Sequence, residues 1–366
     1  MRLHGVAGAA ADRVNAALAA AATRALARLE AFLDEVARGW HESRALAERA
    51  RALSERYTLG TSPVGGDEVA DPAYLAYFGP RAVRATAAAL ASWGSTPRGT
   101  VVDAGCGSGG AALLLAEVGA ARIVGVEVSE RALAVARALV GDKLRAVCAP
   151  LEHAPATPDA TLVSSSFTFG ELGGDVDAAL GVVSRLGGAS TEVLLVDAGD
   201  HPHARRLQSL REALRSAPAG ARRVLAPCPH DDACPALLRE RDWCHARTNK
   251  ALPPRLAAFA RAVGRDADEM AYAFLALSSA AAAPTAERRG VLAIGEAHKE
   301  KGRARLPVCG PGGLRFVQAL KRDRAAYHAL LAVPRGTRLR ADLGEAAEHG
   351  VAHVDAQRIA LLAGPE

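Results

Sequence analysis

The stretch Val101-Val102-Asp103-Ala104-Gly105-Cys106-Gly107-Ser108-Gly109-Gly110 constrains this chain more than any other. A short β-branched run leads straight into closely spaced glycines, and an Ala/Leu-rich segment follows. Glycine lets the backbone turn tightly and approach a ligand with no Cβ in the way, while the start of a helix offers free N–H groups. A loop of this kind requires a strand behind it and a helix ahead, the βα turn of a doubly wound α/β fold.

The surrounding pattern agrees. Short β-branched runs at Thr100 to Ala104, Ile123 to Val128, Leu144 to Cys148, Ala160 to Ser165 and Glu192 to Val196 alternate with helical stretches, as βαβ units of a parallel sheet do. The predicted fold class is therefore α/β, a doubly wound, Rossmann-like domain over 73–225. Upstream, Leu26, Leu29 and Leu33 recur at helical spacing and Phe32 widens the apolar face, which predicts an amphipathic helix or helix pair in a module that ends with a Gly/Pro/Asp-rich linker at residue 72. Ala73 to Trp93 reads as helical with an interruption at Gly79-Pro80. Residues 226–340 form a Cys-rich and basic extension expected to complete the sheet, with Ala226 to Asn249 as a loop, Pro254 to Val263 as a helix, Met270 to Leu277 and Val291 to Gly295 as strands, and Arg305 to Val308 pairing with Leu314 to Val317 as a hairpin. Residues 341–366 are a tail.

Alanine carries much of the apolar content, which is half of the chain, and aromatics are only 4%, so the core must be built from Ala, Val and Leu. No apolar run approaches the ~20 residues of a membrane span, and no export signal is expected. Six cysteines in 366 residues are too few for a disulfide scaffold, and three of them crowd into Cys228 to Cys244, which points to ligand chemistry in a reducing cytoplasm.

The glycine loop fits a nucleotide-type ligand, and both NAD and S-adenosylmethionine must be weighed. Asp103 favours the latter: a carboxylate just before Gly105, Gly107 and Gly109 can take the ammonium end of S-adenosylmethionine, whereas it would repel a pyrophosphate. Glu127, at the end of the second strand, is placed for the ribose hydroxyls of either cofactor. At the end of the fourth strand the chain reads Ser164-Ser165-Ser166-Phe167-Thr168-Phe169-Gly170-Glu171, without the Asn/Asp-Pro-Pro-aromatic clamp of amino-methylating enzymes. No catalytic residue is identified there; Glu171 could serve as a base or be merely solvated.

Cys228, Cys234 and Cys244 lie in Pro227-Cys228-Pro229-His230-Asp231-Asp232-Ala233-Cys234-Pro235 and Asp242-Trp243-Cys244-His245, and Cys309 follows far downstream in Pro307-Val308-Cys309-Gly310-Pro311. Zinc favours closely spaced cysteine pairs, which are absent here, while an iron–sulfur cluster tolerates wider intervals because its irons are spread in space. The residues alone leave three readings open: a cluster, zinc with His230 or His245 competing as ligands, and buried unligated thiols.

Together, the glycine loop with Asp103 and Glu127, and the Cys-Pro-His-Asp, Cys-Pro, Asp-Trp-Cys-His and late-cysteine pattern, resemble the mitochondrial small-ribosomal-subunit methyltransferase-like family and its bacterial relatives, from about Tyr74 to Leu339. The resemblance implies a class I S-adenosylmethionine-dependent methyltransferase fold, a four-iron four-sulfur cluster on Cys228, Cys234, Cys244 and Cys309, and a role on the small ribosomal subunit through its RNA. It implies either methyl transfer to ribosomal RNA or a non-catalytic assembly role for the same fold. After the fifth strand the family shows Glu-Pro-Gly, where this chain has Asp197-Ala198-Gly199.

Charge is consistent with an RNA partner. The net +5 is concentrated between Lys299 and Arg340, where eleven Lys and Arg face only Glu300 and Asp323, a local +9. Such a cluster suits a polyanion, although solvated basic loops would read the same way. Arg303, Arg305, Arg315, Lys321 and Arg322 are the first candidates for phosphate contacts.

Overall fold

A computed structural model describes residues 6–59, 66–171, 181–182, 184–188, 190–215, 222–278, 290–340, 351–353 and 360–361. Most of the 341–366 tail lies outside the described residues. Five parallel strands form the first sheet: β1 (Thr100–Ala104), β2 (Arg122–Glu127), β3 (Leu144–Cys148), β4 (Ala160–Ser166) and β5 (Glu192–Ala198), in the spatial order 3-2-1-4-5. Their near-continuous apolar runs are what a sheet covered on both faces requires. Val102, Val124, Val163 and Leu195 face one side, and Val101, Ile123, Leu162 and Leu194 the other. Beyond β5 the direction reverses. β6 (Val224–Ala226), β7 (Ala246–Thr248) and β8 (Met270–Leu277) extend the sheet, with β8 antiparallel to β5, β6 and β7.

Helix α1 (Val6–Val36), α2 (Arg44–Leu59), α3 (Pro72–Trp93), α4 (Gly110–Val118) and α5 (Glu130–Val140) precede or connect these strands; α6 (His201–Arg215) follows β5, and α7 (Pro254–Val263) precedes β8. Local chemistry sets several ends: Asp71 accepts the Ala73 amide to start α3, Ser129 accepts the Ala132 amide to start α5, and Gly264 at φ 85° closes α7.

The N-terminal helices share one core with the α/β sheet. Leu18, Leu29 and Leu33 of α1 are buried with Leu75 and Leu90 of α3 and Leu113 of α4. At the surface, Arg24 bonds Glu117 at 2.8 Å, and Arg255 on α7 pairs with Asp34, which also accepts the Trp40 indole at 3.1 Å.

The expected interruption at Gly79-Pro80 does not occur, because α3 runs through it. A Cβ on Gly79 would stand 2.9 Å from Leu29 Cδ1, and one on Gly110 would stand 3.0 Å from the Gly79 Cα. The glycine is thus a close crossing point of three helices, and their packing outweighs the local tendency of Gly-Pro to break a helix.

Residues 226–340 do not act as one extension of the first sheet. From Val291 the chain builds a second sheet of β9 (Val291–Ala293), β10 (His298–Glu300), β11 (Arg303–Gly310), β12 (Gly313–Leu320), β13 (Arg338–Arg340), β14 (Val351–His353) and β15 (Ala360–Leu361). The β11–β12 hairpin pairs from Arg303 with Leu320 to Gly310 with Gly313. Alternate residues Ala304, Leu306 and Val308 join Val317, Ala319 and Leu330 of α8 (Arg324–Leu331) in a separate core. No helix among the described residues is long and apolar enough to cross a membrane.

Candidate functional site

Asp103 sits on β1 one residue before the strand ends, with no exposed surface and neither carboxylate oxygen hydrogen-bonded to the protein. Burial pushes its pKa up to about 7; the nearby Ala112 amide eases the charge in part, and the Glu127 carboxylate adds to the rise. Sheet register sets Ser164 of β4 beside it, and that hydroxyl is also buried without a partner. A buried carboxylate with spare acceptor capacity, beside a glycine loop, fits a ligand that brings its own ammonium group.

The glycines fit that use. Gly105, Gly107 and Gly109 have φ of 73°, 50° and 90°, in the left-handed region. A Cβ on Gly105 would overlap the Thr168 side chain, whose hydroxyl donates to the Gly105 carbonyl at 3.1 Å. Glu127 accepts the Gly107 amide at 3.1 Å and the amides of Val128 and Ser129 at 2.8 and 3.2 Å. It therefore pins the loop to the end of β2, and lone-pair capacity remains for a hydroxyl donor. The short helical turn Gly66–Ala70 lies over the loop, with the Val69 side chain 3.1 Å from where a Gly107 Cβ would be and the Ser108 hydroxyl donating to the Val69 carbonyl. The side chain of Glu171 lies outside the described residues.

The second site is a cavity of about 330 Å³ between the two sheets. Cys228, Cys234, Cys244 and Cys309 all line it, together with His230, His245, Arg211 and Trp243. Cys106 and Cys148 are elsewhere, at the glycine loop and at the end of β3. Three of the four lining cysteines come from the loop between β6 and β7 and its margins, and Cys309 comes from the hairpin of the second sheet. Arg211, almost fully buried, donates from Nε to the Cys228 sulfur at 3.2 Å, and His230 Nε2 is 3.1 Å from the Cys309 sulfur.

Burial pushes the Cys244 thiol up to about 12 and raises Cys234 and Cys309, and for Cys244 and Cys309 the other lining cysteines add to the rise. These shifts keep the thiols protonated and neutral at ordinary pH, and only a cationic group bound among them would hold them as thiolates. Among the described residues no three His, Cys, Asp or Glu side chains are grouped to hold one metal ion.

Sequence reasoning missed what holds the cysteine loop. The loop has little regular structure, so its carbonyls need partners, and arginines supply them. Arg338 donates to the carbonyls of Leu225, Pro227 and Cys228 at 3.1–3.2 Å, Arg211 to that of His230 at 2.9 Å, Arg335 to that of His245 at 3.2 Å, and Arg205 to those of Ala236, Arg239 and Asp242 at 2.8–3.1 Å. Arg335 and Arg338 were counted in the basic cluster, but they face inward. Trp243 bonds the Gly199 carbonyl at 2.9 Å and stacks on His245, joining the cavity to the turn after β5.

That turn holds a second feature missed in the sequence. Asp197 is buried with one oxygen unpartnered, and burial raises its pKa against the opposing His203 and Arg206 charges. The only signal was Asp197-Ala198-Gly199 standing where the family shows Glu-Pro-Gly.

Of the predicted phosphate contacts, Arg303 and Arg305 both pair with Glu300, at 2.6 and 3.6 Å. Lys321 and Arg322 are exposed at the turn after β12, and Arg315 is half-buried.

Among solved structures, a candidate RNA methyltransferase of Pyrococcus horikoshii is 15% identical, with 55% of this chain and 82% of that one covered and a TM-score of 0.36. The [4+2]-cyclase SpnF is 16% identical over 54% and 80%, with a TM-score of 0.35. Geranyl diphosphate C-methyltransferase from Streptomyces coelicolor, in a complex containing S-adenosyl-L-homocysteine, is 16% identical over 50% and 74%, with a TM-score of 0.30. No curated protein matches. The family described as "Mitochondrial small ribosomal subunit Rsm22" matches residues 73–336, a span that contains the glycine loop and all four cavity cysteines. The chain belongs to the Rsm22 family of the mitochondrial small ribosomal subunit.

Proposed function

We propose that this protein binds S-adenosylmethionine in its α/β half, holds a four-iron four-sulfur cluster on Cys228, Cys234, Cys244 and Cys309, and acts on the RNA of the small ribosomal subunit as that subunit is assembled. The observation that carries the reading is the meeting of four distant cysteines, from two different sheets, on one cavity. In the α/β half Asp103 takes the ligand's ammonium, and Glu127 holds the glycine loop and receives ribose hydroxyls. S-adenosylmethionine supplies an electrophilic methyl group when bound. In the cavity, the cysteines tie the β6–β7 loop to the hairpin, and Arg211 offsets their negative charge. Six free cysteines suit a reducing compartment such as the cytoplasm.

A second reading, a non-catalytic assembly factor, draws on one observation: β4 ends in Ser164-Ser165-Ser166-Phe167, which presents no amide or carboxylate clamp to an acceptor base. One experiment separates the two. Purified protein, immature small subunits and methyl-labelled S-adenosylmethionine are incubated together. Label transferred to RNA, and lost with Asp103→Ala, establishes the enzyme. Binding of both partners without transfer establishes the scaffold, and no binding of either refutes the proposal. Protein prepared without oxygen should be coloured and contain iron and sulfide; a colourless, zinc-containing preparation would overturn the cluster.

A further inference from the structure

One face of the second sheet carries exposed apolar groups that its core does not use. In an antiparallel pair, residues directly opposite share a face. Phe316 lies opposite Pro307, Leu314 opposite Cys309, and Gln318 opposite Arg305. Arg305 in turn lies opposite His298 of β10. These residues therefore form one surface, and the other face of the same strands holds the buried core of Leu306, Val308, Val317 and Ala319.

Phe316 is 39% exposed and Leu314 43% exposed, unusual for side chains of this size. The Arg305 guanidinium is 5.8 Å from the centre of the Phe316 ring. Its orientation is fixed from the side by Gln318 at 3.3 Å and Glu300 at 3.6 Å. An aromatic ring with an arginine beside it, on an open sheet in the most basic part of the chain, is the combination that binds single-stranded nucleic acid: the ring stacks on a base and the cations meet the phosphates. A protein partner would be served by the apolar pair, but it would leave unexplained the exposed Lys299, Lys301, Lys321 and Arg322 that border the same hairpin.

We propose that Phe316 is a stacking platform for an unpaired RNA base, with Arg305 beside it and the strand's phosphates along the Lys299–Lys301 and Lys321–Arg322 turns. This rests on the reading of the protein as an RNA-binding factor and adds where, and in what form, the RNA is held. The RNA strand would run across the hairpin toward Leu314, which also lines the cysteine cavity.

The test is fluorescence anisotropy of the full-length, anaerobically prepared protein with a labelled single-stranded RNA 12-mer of mixed sequence and with its duplex, over a range of salt. Phe316→Ala is expected to weaken single-strand binding about tenfold with an unchanged salt slope, because stacking carries no counterion release. Lys321→Glu/Arg322→Glu should weaken binding and flatten the slope. Phe316→Trp should keep the affinity, and its emission should be quenched by the single strand. The inference is overturned if Phe316→Ala binds within twofold of the parent while the charge variant is impaired, or if the parent prefers the duplex. No RNA binding by the parent at all would overturn the broader reading as well.

Discussion

His230 Nε2 stands 3.1 Å from the sulfur of Cys309, so a residue of the loop after β6 touches a residue of the β11–β12 hairpin 79 positions later. The contact joins the two sheets at the cavity. Cys309→Ser should remove the one sulfur donor supplied by the second sheet. The variant is expected to lose most of its iron in anaerobic preparations and to be cut by trypsin within the hairpin at enzyme levels the parent resists. Cys148→Ser, at an exposed cysteine away from the cavity, should keep both iron content and protease resistance.

Asp103 links binding to stability. Its folded pKa of about 7 lies above the ordinary carboxyl value of 3.8, so the native state holds the proton more tightly than the unfolded chain. Stability from this group is therefore full below about pH 4 and is lost as pH rises to 7. Asp103→Asn should abolish S-adenosylmethionine binding yet raise the melting temperature of the ligand-free protein by a few degrees at pH 8, from relief of about 4 kcal/mol, with little change at pH 4. In the parent, calorimetric affinity for S-adenosylmethionine should increase from pH 6 to pH 8 as the carboxyl ionises. Equal melting shifts at both pH values would refute this account of Asp103.

Gly105 tests the loop. Alanine there would have to adopt φ 73° and fit a methyl where the Thr168 side chain already is. Gly105→Ala is expected to cost about 1–3 kcal/mol in urea unfolding and to remove cofactor binding. Gly302→Ala, also at positive φ but with open space around it, should show the smaller backbone cost alone.

Arg338 tests the carbonyl network. Its guanidinium serves three carbonyls of the Leu225–Cys228 turn. Arg338→Ala should destabilise the protein by about 2–3 kcal/mol and lower its iron content, since the turn carries Cys228. Arg338→Lys should not restore either property, because an ammonium cannot reach three carbonyls as a planar fork does. Denaturation midpoints and iron assays on both variants check this.

The parallel strands were readable because they combine β-branched residues with a local boundary; Thr100–Ala104 and Leu144–Cys148 are found with the limits their patterns predict, as is the antiparallel Met270–Leu277, read from its apolar run. The helix Pro254–Val263, framed by Pro253 and Gly264, was equally legible. Less legible was whatever depends on partners distant in sequence. Ala246–Thr248 became a strand only because β8 offers it an edge, and α3 passes through Gly79-Pro80 because Leu29 and Gly110 pack against it. Nothing local separates Arg335 and Arg338, turned inward onto carbonyls, from Lys321 and Arg322, turned to solvent. The grouping of Cys228, Cys234, Cys244 and Cys309 followed from a family resemblance and not from their spacing, since an interval of five, nine or sixty-four residues sets no distance in space.

The split origin of the cavity has a consequence for synthesis. Translation delivers the glycine loop and the first three cavity cysteines well before Cys309, so a nascent chain can finish its α/β half while its sulfur pocket still lacks a wall. Truncated products of an interrupted messenger would therefore complete the glycine loop and its sheet but lack the one thiol that closes the cavity from the second sheet.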